Sequence, residues 1–86
     1  MDNEKFIERC KTMVGQRILN KLMDDDGNFP EFEVFVVWSC KTLQNNKAIL
    51  SATVKDAPLY EITHNGDKGE TYIDTYIKES NECIKM

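Results

Sequence analysis

Glu31-Phe32-Glu33-Val34-Phe35-Val36-Val37-Trp38-Ser39-Cys40-Lys41-Thr42-Leu43, continuing through Gln44-Asn45-Asn46 into Lys47-Ala48-Ile49-Leu50-Ser51-Ala52-Thr53-Val54-Lys55, sets the fold class. Residues 31–43 are dense in β-branched and aromatic side chains. Their near-continuous apolar run is that of a strand contacted on both faces. Asn45-Asn46 tolerates positive φ and predicts a tight two-residue turn, with a return strand over Lys47–Lys55. Asp56-Ala57-Pro58 is the next connection, because proline donates no hydrogen bond to a ladder. A third strand follows over Leu59–His64, making a meander.

Upstream, Phe6, Ile7, Cys10, Met13, Val14, Ile18, Leu19, Leu22 and Met23 recur at three- and four-residue steps and predict a helix from Asn3 to about Met23. Asp2 or Asn3 can cap its start, and Gly27 supplies a stop. Gly15 sits in mid-helix at a cost of about 1 kcal/mol relative to alanine. Close approach to the sheet and simple tolerance account for it equally well. Downstream, Asp67-Lys68-Gly69-Glu70 has the form of a capping box, and Tyr72, Ile73, Tyr76 and Ile77 fall on one helical face. A second helix is expected there, ending near Asn81, with Cys83–Met86 as a short terminal strand or tail. The expected fold is α+β in the order α-β-β-β-α-β. A long N-terminal helix packs on a three-stranded antiparallel meander, in one domain over residues 1–86.

A two-residue turn at Asn45-Asn46 pairs Leu43 with Ala48, Lys41 with Leu50, Ser39 with Ala52 and Val37 with Val54. Tyr60, Ile62 and His64 join that face, which suits the N-terminal helix. The opposite face then carries Phe32, Val34, Val36, Trp38 and Cys40 beside Ile49. An apolar stripe of that size calls for a cover, from the second helix, the tail, a second copy or a partner. Val34, Val36, Trp38, Cys40 and Ile49 are the candidate interface.

The chain has 86 residues, enough for one hydrophobic core, with 41% hydrophobic and 30% charged side chains, as in ordinary folded proteins. A formal charge of -4 removes the usual driving force for nucleic-acid binding. Cys10, Cys40 and Cys83 are odd in number and widely spaced, which fits neither a disulfide framework nor a zinc site and suits a reducing compartment. No signal-peptide pattern and no apolar run of about 20 residues occurs, so the expected location is the cytoplasm.

Few residues suggest chemistry. Asp24-Asp25-Asp26-Gly27-Asn28 fails the spacing of a calcium loop, because alignment on Gly27 puts Leu22 first. His64 is the single histidine, and the expected register points it away from Cys40. Glu31 and Glu33 share one side of a strand, but a paired-carboxylate mechanism needs a deep cleft. No phosphate loop or nucleophile elbow is present. The expected element order resembles that of double-stranded-RNA-binding domains, yet the second helix would open with acids where those domains place a basic cluster.

Val36-Val37-Trp38-Ser39-Cys40-Lys41-Thr42-Leu43-Gln44-Asn45-Asn46-Lys47-Ala48, then Tyr60-Glu61-Ile62-Thr63-His64-Asn65-Gly66-Asp67-Lys68, resembles an uncharacterised family of short proteins encoded by phages and prophages of Gram-positive bacteria. The likeness extends to Glu4-Lys5-Phe6-Ile7. It implies a bacterial cytoplasm and assigns no site residues.

The expectation is therefore a non-enzymatic module that binds a protein partner or a second copy of itself. No cofactor, metal, membrane or small-molecule ligand is expected. One alternative is a nucleic-acid-binding sheet using Trp38 and Tyr60 with Lys41, Lys47 and Lys55. The other is a small enzyme centred on Cys40 or His64.

Overall fold

A computed structural model describes all 86 residues. Helix α1 (Asn3–Leu22) is followed by strands β1 (Val34–Thr42), β2 (Asn45–Ala52), β3 (Leu59–Asn65) and β4 (Glu70–Tyr76). The strands form one antiparallel sheet in the order β1-β2-β3-β4. The α+β class holds, but the sheet has four strands rather than three.

Asp2 caps α1, its Oδ1 accepting the Lys5 backbone N–H at 2.9 Å. At the other end the Met23 N–H donates to the Leu19 carbonyl at 2.9 Å. Phe6, Cys10, Val14 and Ile18 are buried, four residues apart. They meet Ala48, Leu50, Ala52, Tyr60 and Ile62 of the sheet in one core. The helix lies mainly over β1 and β2.

The expected second helix is instead β4. Asn65, not Asp67, organises the turn: its Oδ1 accepts the backbone N–H groups of Asp67 at 3.1 Å and Lys68 at 3.2 Å. Gly69 takes φ +65, and Asn65 pairs with Glu70 as the chain returns. The same side chains that share a helical face also alternate along a strand. Ile73 faces the buried Ile62, whereas Tyr72 and Tyr76 pair with Thr63 and Leu59 on the other side. With Thr71 and Thr75 each preceding a tyrosine, β-propensity favours the strand. Residues 77–86 form no helix or strand, so the expected terminal strand is absent.

The first hairpin turns two residues earlier than expected. Thr42 pairs with Asn45 around Leu43-Gln44, and Leu43 adopts φ +54. The asparagines serve another purpose. Asn45 Oδ1 accepts the Gly66 N–H at 3.3 Å, joining the two hairpin ends. Asn46 is buried between Lys41 and His64 in the ladder. Ser39 therefore faces Ala48, and Lys41 faces Asn46, a shift that keeps each on its expected face.

A β-bulge between Val36 and Trp38 makes Val37 an extra residue. Before it, Val34 pairs with Ala52 and Val36 with Leu50, on the helix side. After it, Trp38 pairs with Ile49 and Cys40 with Lys47, on the far side. The expected single face of Val34, Val36, Trp38 and Cys40 is thus split.

Two glycines separate tolerance from necessity. A Cβ at Gly15 would meet Val34 Cγ2 at an ordinary 3.7 Å, whereas one at Gly66 would overlap the carbonyl oxygen of Gln44. Gly15→Ala is expected to raise stability by about 0.5–1 kcal/mol through helix propensity. Gly66→Ala is expected to lower it by about 1–3 kcal/mol, as overpacking against backbone does. Urea denaturation of the two variants measures both signs.

Candidate interaction surface

The sheet face away from α1 is built by alternation. Phe35 and Trp38 come from β1, Ile49 from β2, Leu59 and Glu61 from β3, and Tyr72, Asp74 and Tyr76 from β4. No element covers it, and the molecule is only 18 Å along its shortest dimension. Trp38, Tyr72 and Tyr76 are 49%, 56% and 52% exposed, far more than aromatic residues in a covered layer.

Of the five candidate interface residues, Trp38, Cys40 and Ile49 lie together on this face. Val34 and Val36 do not. Both are half-buried and pack against the core beneath α1. Phe35, Tyr72 and Tyr76 are additions that the sequence reading missed. The available signal for the tyrosines was the density of strand formers in Thr71-Tyr72-Ile73-Asp74-Thr75-Tyr76, in which Tyr72 and Tyr76 fall on the same side of a strand.

Polar groups order the face. Tyr76 Oη donates to Glu61 Oε1 at 3.1 Å, and Tyr72 Oη donates to Glu70 Oε2. Each carboxylate holds its tyrosine's phenol above the usual range, because the bond is made by the protonated oxygen. Lys47 Nζ lies 3.7 Å from Glu61 Oε2 near the centre of the sheet. Aromatic and aliphatic groups on β1 thus face a tyrosine row on β4 across a central ion pair.

The helix side has a second exposed feature. Alongside α1, Thr71 and Thr75 of the inward row of β4 are exposed, while Ile73 between them packs against the margin of the core. One cleft of about 520 Å³ lies among Phe6, Arg9, Met13, His64 and Thr71, and another of about 230 Å³ among Arg17, Asn20, Lys21, Tyr60 and Thr75. Charge is segregated as well. Residues 3–22 hold five basic and two acidic side chains, whereas the rest of the chain holds six basic and thirteen acidic. The buried Tyr60 hydroxyl has no hydrogen-bond partner.

The residues considered for chemistry do not converge. His64 lies on the helix side, its Nδ1 2.9 Å from Thr71 Oγ1 and its ring 6.4 Å from that of Phe6. Cys40 is on the open face, its Sγ 3.6 Å from Thr42 Oγ1. All three cysteines are free thiols. Burial pushes the Cys10 thiol up to about 11, since a thiolate there would lose its hydration. Asp24 Oδ1 accepts the N–H groups of Asp26 at 2.9 Å and Asn28 at 2.8 Å, making a self-contained acidic turn. No group of three or more His, Cys, Asp or Glu side chains gathers as a metal site would require. Tyr60 is in the core, so it cannot stack bases together with Trp38.

A sheet faced by one helix, with an open aromatic side, defines an α+β protein. Its residues 7–86 match the model of the Family of unknown function (DUF6275), and the chain belongs to that family. None of the curated proteins and none of the solved structures matches it. No helix is long and apolar enough to cross a membrane.

In the native protein Ellman's reagent is expected to titrate Cys40 and Cys83 and to reach Cys10 only after denaturation. The raised Cys10 pKa favours the folded state below the unfolded thiol value of 9.0. That contribution is lost as pH rises through about 11. A flat urea midpoint between those pH values in wild type, when compared with Cys10→Ala, contradicts this assignment.

Proposed function

We propose that the protein is a non-enzymatic interaction module whose open sheet face binds the same face of a second copy. The single observation that carries this reading is the uncovered aromatic face. A compact 10.0 kDa chain exposes about 5,200 Å². This one exposes 6673 Å². Exposed aromatic and aliphatic residues of the open face, the loop before β1 and residues 77–86 all contribute to the excess.

The face is also self-complementary. Stacking two copies about an axis along the strands sets β1 of one over β4 of the other, so that Phe35 and Trp38 meet Tyr72 and Tyr76. Lys47 then approaches the partner's counterpart of Glu61, adding to the ion pair within each chain. Tryptophan and tyrosine, which flank the central ion pair on β1 and β4, are residue types that supply much of the binding energy at interfaces. The separation of His64 and Cys40 onto opposite layers supports a role without catalysis. The resemblance of residues 36–48 and 60–68 to phage- and prophage-encoded proteins supports an accessory role in a bacterial cytoplasm.

Size-exclusion chromatography with light scattering tests the reading. Wild type at micromolar concentration is expected at twice the chain mass of 10.0 kDa. Trp38→Glu, at an exposed position, is expected to elute as a folded monomer with an unchanged far-ultraviolet spectrum. A wild-type monomer throughout the micromolar range overturns it.

A further inference from the structure

We propose that the outer edge of β4 takes up an extended acidic peptide segment as a fifth strand, its carboxylates held by Arg9, Arg17 and Lys21 of α1. This site is on the helix side of the sheet, independent of the open face.

The two edges of the sheet differ. β1 carries the bulge at Val37, which interrupts the even spacing a pairing strand needs. β4 pairs with β3 without a register shift over all seven residues and contains no proline. No backbone hydrogen bond outside the regular elements reaches it. Its outer N–H and C=O groups therefore form a regular, unblocked template for strand addition.

Over the inner face of β4, on the way to that edge, α1 presents a cationic flank from its place above β1 and β2. Arg9 lines the cleft above Thr71, and Arg17 and Lys21 line the cleft above Thr75. Lys47–Glu61 is the single ion pair in the molecule, so these three cations have no carboxylate partner. Glu8 is the acid among the residues lining the two clefts. Spacing matches an extended ligand. Four residues of helix rise about 6 Å, and two residues of strand advance about 6.7 Å. Arg9, Met13, Arg17 and Lys21 are four residues apart, so alternate side chains of a fifth strand meet successive rungs: acid, apolar, acid, acid.

Charge also selects the occupant. A second copy added β4 to β4 would bring two α1 flanks of the same positive sign together. An acidic segment neutralises that flank instead. Stacked bases find little here, because Phe6, the aromatic ring beside the first cleft, is buried.

The test uses the full chain and a fluorescent peptide, Asp-Thr-Asp-Thr-Val-Thr-Asp-Thr-Asp, read by anisotropy at low salt. Binding in the micromolar range is expected, weakening at least tenfold with Arg17→Glu, while Lys11→Glu, at an exposed α1 position outside both clefts, leaves it unchanged. Two N-methylated peptides, one methylated at the acidic positions and one at the alternate positions, separate strand addition from charge alone. Loss of binding by one of them supports a fifth strand. Equal binding by both overturns it, as does no binding at millimolar peptide or tighter binding of a single-stranded oligonucleotide of equal charge.

Discussion

Contact between the Phe6-Cys10-Val14-Ile18 stripe of α1 and the Ala48-Leu50-Ala52 row of β2 governs the rest of the molecule. Two alanines flank one leucine, so the helix can settle close to the sheet without leaving a void. Because that row lies on one side of β2, it also dictates which side of every neighbouring strand faces inward. Tyr60 and Ile62 close the core from β3. The far face owes its exposure to the same constraint, since a single helix covers a single side.

Much of this was legible. The helix announced itself because nine apolar residues kept helical spacing, and the observed bounds differ from the expected ones by about one residue. Tyr60, Ile62 and His64 were placed on the helix side by alternation, and they are there. The bulge was hidden for a physical reason. Val34 to Trp38 is apolar at every position, so a one-residue change of phase leaves no trace in hydropathy. Turn chemistry misled twice: Asn45-Asn46 resembles a hairpin apex but works as a lateral tie and a buried ladder residue, while Leu43 takes the positive φ. Asp67 and Glu70 resembled a helix cap because their spacing suits one, yet the oxygen that orders the loop belongs to Asn65.

The candidate site was only partly readable, and the bulge decides which part. Trp38, Cys40 and Ile49 share the open face, but Val34 and Val36 belong to the core. The tyrosines of β4 could not be assigned to that face while residues 70–77 were read as helical. The cationic flank of α1 acquires significance only once β4 is known to be a strand with a free edge. A charge imbalance confined to one element is visible in the sequence; the groove beside it is not.

The meander has a consequence for the route to this structure. Each strand pairs with its neighbour in sequence, so three hairpins can zip successively with short loops to close. Docking of α1 is the longer-range event, joining residues near position 10 to residues near position 50. Folding is thus expected to begin in the hairpins, with Asn45 and Gly66 bringing two turns together early, and to finish when the helix closes the core. The slow, rate-setting step would then lie in the placement of the helix and not in the pairing of strands.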